Sequence, residues 1–255
     1  MNRASETQWF NNSFESQGNN LLLFCFPCAC GDMWMFKNWP RALAGTAEVH
    51  PVSLPGRGPR IAEAPIASLK LLVQQLVPLF AALEDRPFGL FGHSMGAFVA
   101  FELAHELQRG GAHKPSLLVV ASQRAPHRTK TPTLRFYELP DPILKSVTQR
   151  NFPQIERLDE PELSNVLLPL IRADFTLSQD YRYEPECPLG CPLVVFGGIE
   201  DSVSKSDLEA WRLHTHDRFE LQVLPGDHFF LYTHEELFLE RLRIAIRNLS
   251  CPVLL

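Results

Sequence analysis

Gly92-His93-Ser94-Met95-Gly96 sets a serine two residues from a glycine on either side, the spacing at which a strand can pass into a helix through a very sharp turn. Crowded backbone there requires small neighbours. The serine takes a strained conformation that points its hydroxyl away from the sheet, free to attack a carbonyl carbon. A hydroxyl is a poor nucleophile until a base removes its proton, so Ser94 needs a histidine in reach and an acid to orient that histidine. On a sheet carrying such an elbow the chain order is serine, acid, histidine. Of nine histidines, His228 is the one in the loop that follows the last predicted strand, LPGDHFF, while His214, His216 and His234 belong to helices or their ends; the competing reading is a loop histidine capping the next helix. The acid must leave the end of the preceding strand. PLVVFGGIEDSVS offers Asp201, with Glu200 as its nearest rival, and Asp201 also stands where an aspartate could cap a helix. Asp227, beside His228, reads as a turn residue. The alkoxide formed on attack needs two backbone N–H donors. One is Met95; the other comes from the loop FPCACGDMW after the first strand, with Ala29 the first choice and Cys28 and Cys30 open.

These residues lie far apart in sequence, so the elements between must bring them together. Short, nearly all-apolar runs recur at 21–26, 49–55, 88–92, 116–122, 192–198 and 219–226, as strands buried on both faces do. Helical patterns stand between several of them, over 67–84, 96–111, 204–215 and 234–249, the second ending at Gly110-Gly111. Such alternation predicts an α/β fold with a mostly parallel central sheet flanked by helices. With the elbow, acid and histidine in order on it, the expected architecture is the α/β-hydrolase fold. From about His127 to Tyr183 the alternation stops and the chain reads as helices only. An excursion of this kind folds back over the carboxyl ends of the strands, which makes it a helical lid, against the plainer reading of a helical subdomain without a substrate role. The expected organisation is a flexible N-terminal segment over 1–20, a hydrolase core over 21–126 and 184–255, and a helical lid insertion over 127–183.

A length of 255 residues, 45% hydrophobic and 21% charged, suits one large core. A net charge of -5 without a Lys/Arg cluster argues against a nucleic-acid partner. The start is polar, without a signal-peptide pattern, and no apolar run is long enough to span a bilayer, so no membrane partner and a cytoplasmic location are expected. Cys25-x-x-Cys28 and Cys187-x-x-x-Cys191 imitate paired zinc-ligand spacings. Yet alternation sends Cys25 of LLLFCF into the core, where free cysteine is common, so packing cysteines and no metal are expected.

FGLFGHSMGAFVAFELA, FCFPCACGDMWMFKNW, the SLPGRGPR turn, LLPLIRADF in the lid and LPGDHFF together resemble the type II thioesterases, from Leu21 to Leu249. These stand-alone hydrolases remove aberrant or stalled acyl groups from the phosphopantetheine arm of carrier proteins in polyketide and nonribosomal peptide synthesis. The resemblance implies Ser94, Asp201 and His228 as the triad, Met95 and Ala29 as oxyanion donors, and a lid that shapes the acyl chamber. It implies acyl or peptidyl carrier protein domains as partners, no cofactor beyond the phosphopantetheine the partner carries, and a monomer. Two alternatives stay open on the same triad: the medium-chain fatty acyl carrier-protein thioesterase, which shares these motifs, and a small-molecule carboxylesterase. The family usually shows F-P-H-A-G-G in the oxyanion loop, whereas this chain has Phe26-Pro27-Cys28-Ala29-Cys30-Gly31. Cys30 puts a side chain where the backbone wants positive φ or close substrate approach. That departure admits a binding-only protein that kept the fold and lost the reaction. Gly58 likewise replaces an acidic residue common in the family. Carrier domains are commonly acidic, so Arg57 and Arg60 are expected to meet one, or else to be solvated surface.

Overall fold

LLLFCF is apolar at every position because both of its faces are covered: Leu22, Phe24 and Phe26 point into one core, Leu23 and Cys25 into the other. The computed structural model describes residues 8–10, 20–81, 83, 86–111, 114–129, 132–152, 155 and 158–249. Six such strands form one sheet: β1 (Leu21–Phe26), β2 (Ala47–Pro51), β3 (Phe88–His93), β4 (Leu117–Ala121), β5 (Leu193–Gly198) and β6 (Phe219–Leu224). They lie in the order β2-β1-β3-β4-β5-β6, every neighbouring pair parallel. All six fall on predicted runs, β2 beginning and ending earlier than its run.

The helices are α1 (Trp39–Ala42), α2 (Leu69–Ala81), α3 (Met95–Arg109), α4 (Asp141–Asn151), α5 (Pro161–Gln179), α6 (Lys205–Glu209), α7 (Phe230–Thr233) and α8 (Glu235–Leu249). The predicted helix over 204–215 divides into α6 and a 3-10 turn, Ala210–His214. On one face of the sheet α2 and α3 cover Leu22, Phe24 and Val120. On the other, Trp39 of α1 and Phe238 of α8 pack against Phe91, with ring centroids 4.9 and 5.9 Å away. Each large side chain fully buried in this way stabilises the fold by about 1.5–3 kcal/mol.

The register aligns the strand ends. Phe26 lies beside Gly92, His93 beside Ala121, and Gly198 beside Leu224, so the loops leaving β1, β3, β4, β5 and β6 share one rim. The chain order reverses between β1 and β3, and their loops part there to leave a crevice.

Between 127 and 183 the described residues contain no strand. Instead α4 and α5 pack through Phe152 and Phe175, ring centroids 6.1 Å apart, and Phe152 reaches Phe229 on the rim at 5.9 Å. Arg172 of α5 ties the preceding chain down through the carbonyls of Tyr137 and Leu139 and the carboxylate of Asp141. This insertion's apolar side joins the same core as Ala29 and Met95.

Most of the segment 1–20 lies outside the described residues, as does Cys251. Residues 8–10, expected to be loosely ordered, are instead packed down: Trp9 and Phe10 are buried. Phe10 meets Phe24 at 4.9 Å, and the Trp9 carbonyl accepts the Ser53 N–H at 2.7 Å. Two large apolar rings in a polar stretch supply the burial that fixes it.

Candidate active site

Ser94 ends β3 and caps α3 with φ 53 and ψ -116, a conformation L residues rarely adopt. The flanking glycines make it possible. A Cβ on Gly92 would lie 2.1 Å from the Gly96 carbonyl oxygen, and one on Gly96 would lie 2.3 Å from the Phe26 oxygen. The elbow therefore folds tightly on itself and rests against the end of β1.

The rim brings together the three residues expected to act on one another. His228 Nε2 is 3.0 Å from Ser94 Oγ, and His228 Nδ1 is 3.1 and 3.2 Å from the two carboxylate oxygens of Asp201. The Asp201 side chain is fully buried while the His228 side chain is 30% exposed, so the imidazole opens toward solvent and its acid does not. Burial works to raise the Asp201 carboxyl. The hydrogen bond and charge of His228 and the Val203 N–H outweigh it and leave the group at about 2. A lasting carboxylate on Nδ1 fixes the tautomer whose Nε2 faces the serine. Glu200, the rival acid, is exposed. The helix-cap reading of Asp201 fails because Ser204 caps α6. Asp227 accepts the Phe229 N–H at 2.8 Å, the turn role expected of it.

Two residues that sequence reasoning missed hold the His228 backbone. Its carbonyl accepts from His93 Nε2 at 2.9 Å and from Ser122 Oγ at 3.0 Å. A carbonyl only accepts, so His93 carries its proton on Nε2. Burial first, and the neighbouring His228 charge second, push His93 down to about 3, so it stays neutral beside the His228 imidazole. Its position inside the G-x-S-x-G run was a usable signal. Ser122, with φ 51 at the end of β4, left none beyond that place.

Met95 opens α3, where the first backbone N–H groups lack helical partners. Across the crevice, residues 28–31 form a four-residue turn closed by the Gly31 N–H on the Cys28 carbonyl at 3.0 Å. Cys30, in the place usually held by glycine, takes φ 61, the positive angle that position was expected to need. Its N–H donates to Asp174 of α5 at 2.7 Å. Burial, then the Asp174 charge, push the Cys28 thiol up to about 12, and the Cys30 thiol rises for the same reasons. Both remain thiols at neutral pH, so neither is a nucleophile.

Arg57 and Arg60 correct an expectation. They are 5% and 7% exposed and so are not a docking surface. Arg57 forms a two-pronged pair with Asp174, at 2.6 and 2.9 Å, and donates to the Gly31 carbonyl at 3.0 Å. Arg60 pairs with Glu63 at 2.6 and 2.7 Å and lies 4.1 Å over the Trp9 ring. Each finds carboxylates and carbonyls close enough to replace water. Among the described residues no three His, Cys, Asp or Glu side chains converge as a metal site, and no helix is long and apolar enough to cross a membrane.

The chain was compared with known proteins. A family model described as a thioesterase domain matches residues 22–245. The gramicidin S biosynthesis protein GrsT of Aneurinibacillus migulanus is 35% identical over 96% of this chain and 96% of its own. The human medium-chain S-acyl fatty acid synthase thioesterase is 29% identical over 90% and 88%. Among solved structures, the type II thioesterase BorB from the borrelidin biosynthetic cluster superposes with a TM-score of 0.83 at 32% identity, covering 93% of this chain and 97% of its own.

Proposed function

The chain belongs to the thioesterase family, and from that premise we propose that it hydrolyses acyl and aminoacyl thioesters on the phosphopantetheine arm of carrier protein domains, clearing misprimed or stalled polyketide and nonribosomal peptide synthesis. The family and its relatives from peptide and polyketide pathways support this reading more than they support the fatty acid branch. The unbroken hydrogen-bonded line from Asp201 through His228 to Ser94 carries the chemical part of it.

Ser94 Oγ attacks the thioester carbonyl as its proton passes to His228 Nε2, and the buried Asp201 carboxylate stabilises the imidazolium. The Met95 and Ala29 N–H groups receive the oxyanion; Asp174 has taken the Cys30 donor. Collapse of the tetrahedral adduct expels the pantetheine sulfur, which takes the proton from His228, and leaves an acyl-serine. Water deprotonated by His228 then attacks that ester; the acyl–Oγ bond breaks, Ser94 Oγ takes the proton back from His228, and the acid departs. A thiolate leaves readily, so modest transition-state stabilisation suffices for a broad editing enzyme. In this reading α4 and α5 cover the acyl group, with Phe152 packed against Phe229 beside His228. None of these steps calls on a cofactor of the enzyme's own.

The test is to load a phosphopantetheinyl carrier with acetyl and longer acyl groups and follow their release. Turnover by the wild type that Ser94→Ala abolishes is the expected result; release that does not depend on Ser94 refutes the proposal. Higher efficiency on free oxygen esters than on the loaded carrier would move the assignment to a carboxylesterase.

A further inference from the structure

The two edges of the sheet are finished differently. In a parallel ladder alternate residues turn both backbone groups toward the neighbouring strand, and the residues between them turn both outward. On the β2 edge the Val52 N–H bonds to the Cys25 carbonyl at 2.9 Å, so Glu48 and His50 face β1 while Ala47, Val49 and Pro51 face outward. That edge is closed off. The Ala47 N–H already bonds to the Leu43 carbonyl at 3.0 Å, Pro51 has no N–H to offer, and Ala47 and Val49 are buried.

The β6 edge has none of these protections. The Arg218 and Leu224 carbonyls accept from Leu193 and Ile199, each at 2.9 Å, which sets the even-numbered residues against β5 and leaves the N–H and C=O of Phe219, Leu221 and Val223 pointing away from the sheet. Among the described residues nothing bonds to these groups. Their side chains share one face and are half-buried. The strand FELQVL holds no proline, no lysine and no bulge, the features by which proteins ordinarily keep an exposed edge from pairing.

Such an edge pairs with a copy of itself when the strand is self-complementary about its middle. With two β6 strands set antiparallel across a twofold axis at Leu221, Leu221 faces Leu221 and Phe219 faces Val223, so every outward N–H meets an outward C=O. The apolar stripe of one copy continues into that of the other. On the opposite face Glu220 stands against Gln222, an acceptor against a donor. The charges beside the stripe are already engaged, Lys205 with Glu209 at 3.7 Å and Arg212 over the Phe219 ring at 4.5 Å.

We propose that β6 is a self-association surface, at which two copies of this chain join their sheets antiparallel in the register centred on Leu221, against the monomer that the resemblance implies. The inference does not rest on the proposed hydrolysis. A twofold axis normal to the sheet turns the two rims in opposite directions, so each copy keeps its own candidate site open.

The test is the mass of the full chain against its concentration, by sedimentation equilibrium. Interfaces of about 1,600 Å² reach Kd values of about 1 µM or tighter and one strand pair covers less, so half-association is expected between about 10 and 100 µM, in a series run to about 300 µM. Leu221→Pro removes an outward donor and no bond to β5, and is expected to leave the chain monomeric throughout. Gln222→Glu, the second variant should the proline not fold, sets Glu220 against a like charge at two places across the axis and is expected to weaken association about ten-fold. Adding Glu220→Lys to that variant should return it to within about three-fold of wild type, a rescue specific to this register. The amides of Phe219, Leu221 and Val223 should exchange with deuterium more slowly in the concentrated sample than in the dilute one, and those of Glu220 and Gln222 at the same rate in both. The proposal is overturned if the wild type stays monomeric at the highest concentration, if a dimer forms that neither Leu221→Pro nor Gln222→Glu weakens, if Glu220→Lys gives no rescue, or if the outward amides gain no protection.

Discussion

Replacing Asp201 by asparagine tests the triad where the structure gives a magnitude. The carboxylate is fully buried and shared between His228 and the Val203 N–H. Its fall from an ordinary 3.8 to about 2 corresponds to roughly 2 kcal/mol, a factor of tens. That figure is net of burial, which works the other way, and it describes the resting enzyme. In the transition state His228 carries a full charge, and an amide on Nδ1 also selects the wrong tautomer, for which losses near 10⁴ are known in serine proteases. Asp201→Asn is therefore expected to lower kcat by about 10²–10⁴ with KM within a few-fold, because the acid does not touch the substrate. Thiol release from an acyl-carrier, followed with a thiol reagent at pH 8, reads it directly. Glu200→Gln is the control: that side chain is exposed, and its variant should stay within two-fold. An Asp201→Asn enzyme within five-fold of wild type, or a Glu200→Gln enzyme as damaged as Asp201→Asn, would refute the reasoning.

Gly96→Ala places a Cβ 2.3 Å from the Phe26 oxygen and 2.6 Å from that of Pro27. Both are backbone atoms, so α3 must retreat from the oxyanion loop, and kcat should drop about a hundred-fold in a folded protein; circular dichroism with steady-state kinetics decides it, and retained activity would contradict the geometry. Acid stability tests His93. Folded, it remains neutral down to about pH 3; unfolded, it takes a proton near 6.5, so the unfolded chain binds one more proton throughout that window and stability falls as pH falls. Between pH 6 and pH 4 the loss due to this one group is roughly 2 kcal/mol. Urea melts at the two pH values should show His93→Gln losing that much less than wild type, and identical losses would rule the account out.

The sheet was legible because each strand is covered on both faces, which leaves a continuous apolar run that few other structures produce. The elbow was legible because backbone crowding restricts Gly92 and Gly96 themselves, and Asp201 and His228 followed from strand order. The short elements were not: Met33–Phe36 and Trp39–Ala42 have four residues each, too few to display a helical period. The pairing of Arg57 was equally hidden, since its carboxylate lies 117 residues away and a long-range side-chain contact leaves no local pattern. What looked like exposed charge on a turn was therefore an internal tie, and Cys30, which looked like damage to the loop, has a partner at its N–H.

The sheet's direction sets the order in which these parts become available during synthesis. Every neighbouring pair of strands is parallel, so no two of them can zip up as a hairpin, and each must wait for a crossover to be made. Ser94, the proposed nucleophile, emerges from the ribosome with β3, whereas His228, the proposed base, arrives only behind β6, an edge strand and the last among the described residues. On the proposed mechanism a growing chain carries an inert serine until that strand docks, and translation itself delays the first turnover.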